Sequence, residues 1–176
     1  MVSNQNPQSM QRSLYIMRHA QAEEVHGDLH DKDRELTAKG QQEALIMGTQ
    51  LAKQGFTPDY IYSSVANRTK HTASLVSDVL KVSSTNVIEE EELYNSSIRS
   101  YLSFINQIDA SIRTVLLVGH NPTVSYLAEY LSNAEIGSMP TAGLCLLQIT
   151  ASSWGDVGKD SATLLEFIYP EQFSRG

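Results

Sequence analysis

The sequence predicts an α/β fold: a single domain with a mostly parallel central sheet flanked by helices. Three observations carry that expectation. Short apolar runs bounded by turn residues alternate along the chain with longer segments of helical period. Thr114 to Val118 reads as a continuous apolar run, which suits a strand covered on both faces. The chain has 176 residues, enough for one domain with a sizeable core, and shows no internal repeat and no interior linker.

The elements follow in order. Residues through Arg12 are polar, rich in Asn, Gln and Ser, and lack the apolar core of a signal peptide. They are expected to form a flexible tail, 1–12, ahead of a domain spanning 13–176. Leu14-Tyr15-Ile16-Met17 is aromatic and β-branched enough for a first strand, ending at Arg18-His19. Thr37 can cap a helix running to about Gln54, with Leu45, Gly48 and Ala52 on one face and Gly55 as the stop. Asp59 to Tyr62 is a second strand, followed at once by Ser63-Ser64. Ala66 to Leu80 places Thr72, Val76, Val79 and Leu80 at helical spacing. Val87-Ile88 is a short strand. Ile98, Tyr101, Leu102, Ile105 and Ile108 repeat at three and four, an amphipathic helix capped by Ser96 or Ser97. After Thr114 to Val118, Pro122 suits the first turn of a helix reaching about Leu131. Two late strands lie near Leu144 to Ile149 and Thr163 to Ile168.

Composition excludes some functions. The formal net charge is -7 and no Lys/Arg block offers a footprint for a phosphate backbone, so no nucleic-acid role is expected. No apolar run approaches a membrane span, and no membrane role is expected. Glu89 to Glu92 reads as a solvated loop. Cys145 is the one cysteine, which precludes a disulfide within the chain and fits a reducing, cytoplasmic setting.

The chemistry-bearing residues collect at strand ends. The first strand delivers Arg18-His19, the second Ser63-Ser64 with Arg68 just beyond, and the strand at Thr114 to Val118 delivers Gly119-His120-Asn121. Open α/β sheets bind ligands outside the carboxyl ends of their strands. Alone, an Arg-His pair is ordinary surface and His120 a hydrogen-bonded loop residue. Jointly, two arginines and two histidines suit a phosphoryl group. Arg donates planar, charge-assisted hydrogen bonds to phosphate oxygens, and His can attack when neutral or donate when protonated. The helix opening at Asn121-Pro122 can add backbone N–H groups, and Asn121 joins the expected substrate-binding set.

These residues carry a family resemblance. Tyr15-Ile16-Met17-Arg18-His19-Ala20 resembles the signature of the histidine phosphatase superfamily, also called phosphoglycerate mutase-like, and is closest to its SixA-type phosphohistidine phosphatases. Asp33 to Gly40 resembles the R-x-L-T-x-x-G stretch of that branch. Tyr62-Ser63-Ser64 with Arg68 and His71-Thr72-Ala73 resembles the second arginine motif. Val118 to Pro122 resembles the second histidine motif, and Pro140-Thr141-Ala142-Gly143 a late segment of the branch. The resemblance implies a phosphoglycerate mutase-like fold and a phosphatase without metal or organic cofactor. It implies that His19 becomes phosphorylated, that Arg18, Arg68 and His120 bind the phosphoryl oxygens, and that Arg34 supports them from nearby. The implied partner is a phosphoprotein, such as a histidine-phosphorylated signalling protein, or a small phosphoester.

Larger members carry a glutamate that protonates the leaving oxygen, and Glu92, or its neighbour Glu91, stands in about the right region for that acid. Two other classes of function remain open. The stretch His26 to Asp33 mixes imidazoles and carboxylates, which could serve a metal-dependent phosphohydrolase but equally a polar surface loop. A non-catalytic phosphohistidine-binding module would also use this pocket, although the presence of both His19 and His120 favours turnover. Cys145 lacks an arginine six residues on, where Ala151 stands, and is expected to pack as a small apolar side chain.

Overall fold

The computed structural model describes residues 11–174. The elements run β1 (Arg12–Arg18), α1 (Ala38–Lys53), β2 (Tyr60–Ser64), α2 (Asn67–Leu80), β3 (Val87–Glu90), α3 (Ile98–Asn106), β4 (Thr114–Gly119), α4 (Thr123–Ser132), β5 (Leu144–Ile149) and β6 (Ala162–Ile168). The strands form one sheet in the order β3-β2-β4-β1-β5-β6. β1 pairs parallel with β4, and β2 pairs parallel with both β4 and β3. β5 pairs antiparallel with β1 and with β6, so β5 alone runs against the others. This is the predicted single α/β domain with a mostly parallel sheet. Of the expected tail, residues 1–10 lie outside the described residues, and Arg12 already belongs to β1. Its side chain is buried and donates to the Ser152 carbonyl at 3.0 Å.

The sheet divides the core into two layers. Val115 and Leu117 of β4 join Leu14, Ile16, Tyr101, Ile105 and Leu127 in one layer, under α3 and α4. Leu116 and Val118 join Met17, Ala44, Met47, Ile61 and Val76 in the other, under α1 and α2. Side chains alternate across a strand, so a strand covered on both faces must be apolar at every position. Each such Leu or Ile contributes about 1.5–3 kcal/mol relative to exposure. Trp154 is also buried, with its indole N–H donating to the Ile112 carbonyl at 2.7 Å.

Three local expectations need correction. α1 turns Ala44, Met47, Gly48 and Leu51 inward, while Leu45 is 41% exposed and Ala52 also faces out. At 100° per residue, 44, 47, 48 and 51 form one stripe, and 45 falls off it. The acidic run is not all loop: Glu89 and Glu90 end the edge strand β3, where charge discourages pairing with another chain. Pro122 sits one residue before α4 as its N-cap, after a cis Asn121–Pro122 peptide. Among the described residues, no helix is long and apolar enough to cross a membrane.

The segment Thr37 to Gly40 shows how a short motif docks α1 beside the carboxyl end of β1. Thr37 caps α1 by accepting from the Gly40 N–H at 3.0 Å, and its own N–H donates to the Gln21 carbonyl at 3.0 Å. That carbonyl lies so close to Gly40 that a Cβ there would collide with it. Backbone cannot move aside as a flexible side chain can, so Gly40→Ala is expected to cost at least about 1–3 kcal/mol, an overpacking penalty. Denaturant unfolding of the variant checks this, and an unchanged midpoint would show that the contact is soft.

Candidate active site

In the sheet, β2, β4 and β1 are neighbours running in the same direction, and Arg18 stands opposite Gly119 in the register. Their carboxyl ends are therefore side by side. A cavity of about 430 Å³ opens there and brings together Arg18, His19, Arg34, Arg68, His120 and Asn121. Asp31 and Asn95 complete its lining.

His19 is fixed by its surroundings. Its N–H donates to the Gly119 carbonyl at 3.0 Å, and its carbonyl accepts from Ala142 N–H at 3.0 Å. Arg18 N–H donates to the Gly143 carbonyl at 3.0 Å, so the Pro140-to-Gly143 segment braces the Arg18-His19 pair from behind. The His19 ring sets Nδ1 2.7 Å from the Ala20 carbonyl. A carbonyl can only accept, so Nδ1 carries the hydrogen and the Nε2 lone pair is free. Burial drives the His19 pKa down to about 3; the Ala20 carbonyl opposes this, and His120, Arg68 and Arg18 add to it. The ring is thus neutral at physiological pH.

His120 lies with its ring centroid 5.4 Å from that of His19. Its Nε2 is 2.7 Å from Ser64 Oγ, which also accepts from the Ala66 N–H at 3.3 Å. We assign the serine hydroxyl hydrogen to Nε2, which leaves the His120 hydrogen on Nδ1. Burial first, then Arg68, hold His120 down to about 4, while Asp31 pulls the other way. Among the described residues, His120 Nδ1, Arg18 Nε and Arg68 Nε are buried without a hydrogen-bond partner. The side chains that carry these atoms line the cavity, where two guanidinium groups suit an anion with several oxygen acceptors.

The remaining contacts sort the other expected residues. Arg18 also donates from Nη1 to the Met139 carbonyl at 2.9 Å. Arg34 donates from Nε to the Glu23 carbonyl at 2.6 Å and from Nη1 to Asp31 Oδ1 at 3.0 Å. Asn121 lines the cavity, but its amide nitrogen donates to Ser138 Oγ at 3.2 Å and the Met139 carbonyl at 3.0 Å, and its Oδ1 accepts from Ser125. Both amide hydrogens are spent on the protein, so Asn121 anchors the 138–139 segment instead of offering donors to a ligand.

Glu92 is not in the cavity. It is exposed and borders a separate groove with Tyr60, Tyr62 and Phe104. The 3-10 turn Glu91–Leu93 drives Leu93 into the core and turns both glutamates out; Asn95, two residues beyond, is what reaches the cavity. Glu91 pairs instead with Lys32 at 3.4 Å. Nor do the polar residues from His26 to Asp33 converge. His26, Asp28, His30 and Asp33 are exposed, Asp31 turns to the arginines, and no group of three or more His, Cys, Asp or Glu side chains is gathered for a metal among the described residues. Cys145 is buried in β5, and burial pushes its thiol up to about 12. Sequence reasoning missed Asp31 as part of this cavity. Its spacing of three from Arg34 was the available signal, obscured by the mixed His/Asp stretch around it.

Residues 14–101 match the family described as the histidine phosphatase superfamily (branch 1). The chain belongs to the histidine phosphatase superfamily. An uncharacterized protein of Mycobacterium tuberculosis (strain H37Rv) is 30% identical over 164 residues, covering 88% of this chain and 99% of its own. Among solved structures, the candidate phosphohistidine phosphatase SixA of Agrobacterium tumefaciens is similar at 28% identity and a TM-score of 0.78, over 90% of this chain and 98% of that one. The corresponding SixA candidate of Nakamurella multipartitia is similar at 27% identity and a TM-score of 0.77, over 91% and 96%. The cavity of this histidine phosphatase is thus built at the strand ends that carry the family's motifs.

The depressed histidine pKa values have consequences for pH. In the unfolded chain both rings take a proton below about 6.5. In the folded protein they resist until about 3 and about 4. Folded stability is therefore full above about pH 6.5 and declines as pH falls toward 4, because the unfolded state binds more protons. NMR titration of the ligand-free protein should find His19 and His120 neutral down to pH 5. Midpoints above 6 for either ring would contradict the burial argument.

Proposed function

We propose that this chain is a phosphohistidine phosphatase that works through a covalent phosphohistidine on His19. The observation that carries the reading is the His19 ring, held neutral with Nδ1 on the Ala20 carbonyl and a free Nε2 lone pair, in a cavity that Arg18, Arg68 and His120 also line. In the first step Nε2 attacks phosphorus, the bond from phosphorus to the departing nitrogen breaks, and its electron pair leaves with the substrate imidazole. Arg18, Arg68 and His120 stabilise the charge on the phosphoryl oxygens. In the second step water attacks phosphorus, the bond to His19 breaks, and its pair returns to Nε2. The water's proton passes to phosphate or solvent. Positioning and charge stabilisation supply most of the acceleration in such transfers.

The nature of the leaving group follows from what the cavity lacks. Among the described residues, Asp31 is the one carboxylate lining it. Burial raises its pKa, but hydrogen bonds from Arg34, Arg68 and Tyr94 outweigh this and hold it down to about 2, so it has no proton to give at neutral pH. An alkoxide needs a proton to leave; the imidazole of a ring-protonated phosphohistidine leaves neutral without one. The likeness to SixA candidates supports the same substrate class. The partner would be a phosphoprotein, and the free Cys145 thiol suits a reducing cytoplasm.

The test is turnover of a phosphohistidine peptide beside a phosphoserine peptide. The first should be hydrolysed at least about a hundredfold faster in kcat/KM, the lower range of a missing general acid. Comparable rates would sink the substrate assignment. Acid quench should trap a labile phosphoenzyme that vanishes in His19→Ala, and an unaltered phosphoenzyme in that variant overturns the mechanism. Glu92→Gln should leave both rates within about twofold, since substitution of an exposed charge outside the cavity is near neutral.

A further inference from the structure

Asp31 is the charged residue of the cavity that neither the phosphoryl chemistry nor the family motifs explain. A carboxylate beside a site for a dianion is unfavourable by charge alone, so its presence requires a reason. Its contacts supply one. The Asp31 carbonyl accepts from Arg68 Nη1 at 2.7 Å, and its Oδ2 accepts from Arg68 Nη2 at 3.0 Å. The same Oδ2 accepts from the Tyr94 hydroxyl at 2.9 Å, and Oδ1 accepts from Arg34 Nη1 at 3.0 Å. One residue thus ties the loop after β1 to the first turn of α2 and to the segment that follows β3.

We infer that Asp31 is a positioning residue of the phosphoryl site, fixing the plane of the Arg68 guanidinium and keeping Arg34 beside it. The inference rests on the phosphatase reading of the cavity. Two acceptors on the two terminal nitrogens of Arg68 leave the planar group no freedom to rotate. Each terminal nitrogen carries two hydrogens and spends one on Asp31, so the other stays available to a phosphoryl oxygen. The negative charge of Asp31 is balanced by two guanidinium groups, and Tyr94 locks the carboxylate oxygen that Arg68 uses. The side chain remains partly exposed, at 41%, so it stands at the rim of the site and not under the reacting atoms.

The experiment is binding of inorganic phosphate by calorimetry, together with steady-state kinetics, on the full chain. Asp31→Ala should weaken phosphate binding and raise KM about tenfold, the effect of one charge-assisted hydrogen bond, while kcat changes less. Tyr94→Phe, which removes one hydroxyl, should shift both in the same direction by a smaller factor and covers the case that Asp31→Ala does not fold. In an Arg68→Ala background, Asp31→Ala should cause little further loss, because the group it positions is gone. Unchanged or tighter phosphate binding in Asp31→Ala and Tyr94→Phe overturns the inference, since Asp31 would then only repel the anion. Losses that simply add in the double variant also overturn it, since they mark a general structural role. Wild-type protein that binds no phosphate removes the phosphatase reading and this inference together, whereas wild-type binding with unaffected variants removes this inference alone.

Discussion

The parallel pairing of β1 with β4 is the constraint on which the rest depends. Its register sets Arg18 opposite Gly119, so His19 and His120 emerge from adjacent strand ends at the same height. The His19 N–H then closes on the Gly119 carbonyl as one more rung of the ladder. Gly119 is itself demanded by packing, because a Cβ there would collide with the Tyr101 hydroxyl. Tyr101 is buried and donates to the Leu93 carbonyl at 3.1 Å. The same close approach therefore seats α3 against the sheet beside the strand end that carries His120. A slip of one residue would send every alternate side chain to the wrong layer and pull the two imidazoles apart.

A pocket that gathers Arg18, Arg34 and Arg68 must manage its own repulsion. The protein does this mainly with neutral acceptors. Carbonyls of Met139, Glu23 and Asp31 each take a guanidinium hydrogen, at 2.6 to 2.9 Å. These contacts orient the arginines without cancelling their charge, which stays directed at the cavity. Asp31 adds a formal negative charge at Arg68 and Arg34, and the buried Glu43 carboxylate acts on Arg18. The imidazoles stay neutral by burial foremost, so the cavity presents cations that cannot lose their protons beside bases that resist gaining one. That division of labour is what the proposed attack on a bound dianion requires.

The sheet was legible because its cause is local. A strand covered on both faces has to be apolar throughout, and Val115 to Val118 are. The strand ends were legible for the same reason, and with them Arg18, His19, Arg68 and His120. What escaped was decided by side-chain direction. Leu45 is as apolar as Met47, yet only the helical phase tells which turns inward. Asn121 lies in the second histidine motif, yet its amide is consumed by Ser138 and Met139, residues seventeen and eighteen places away. Glu92 stands near the expected acid position in sequence, yet a single 3-10 turn points it away. Asp31 was legible as a carboxylate but not as a partner of Arg68, because that contact spans 37 residues and depends on how a loop folds back over the site.

The turn that removes Glu92 also shapes the chemistry. Leu93 must be buried to complete the layer under α3, and burying it forces Glu91 and Glu92 outward on a turn of three residues per revolution. The chain then returns to the cavity at Asn95, while Tyr94 bonds to Asp31, so the segment brings an amide and a phenol in place of a carboxylate. Tyr94 is no substitute: burial and its bond to Asp31 push its pKa up, and its hydrogen is already committed to that carboxylate. Among the described residues, a core-packing requirement at one residue thus leaves the cavity lining without a protonated carboxyl group. Phosphohistidine carries its own ring proton, so the proposed P–N substrate would need no such donor.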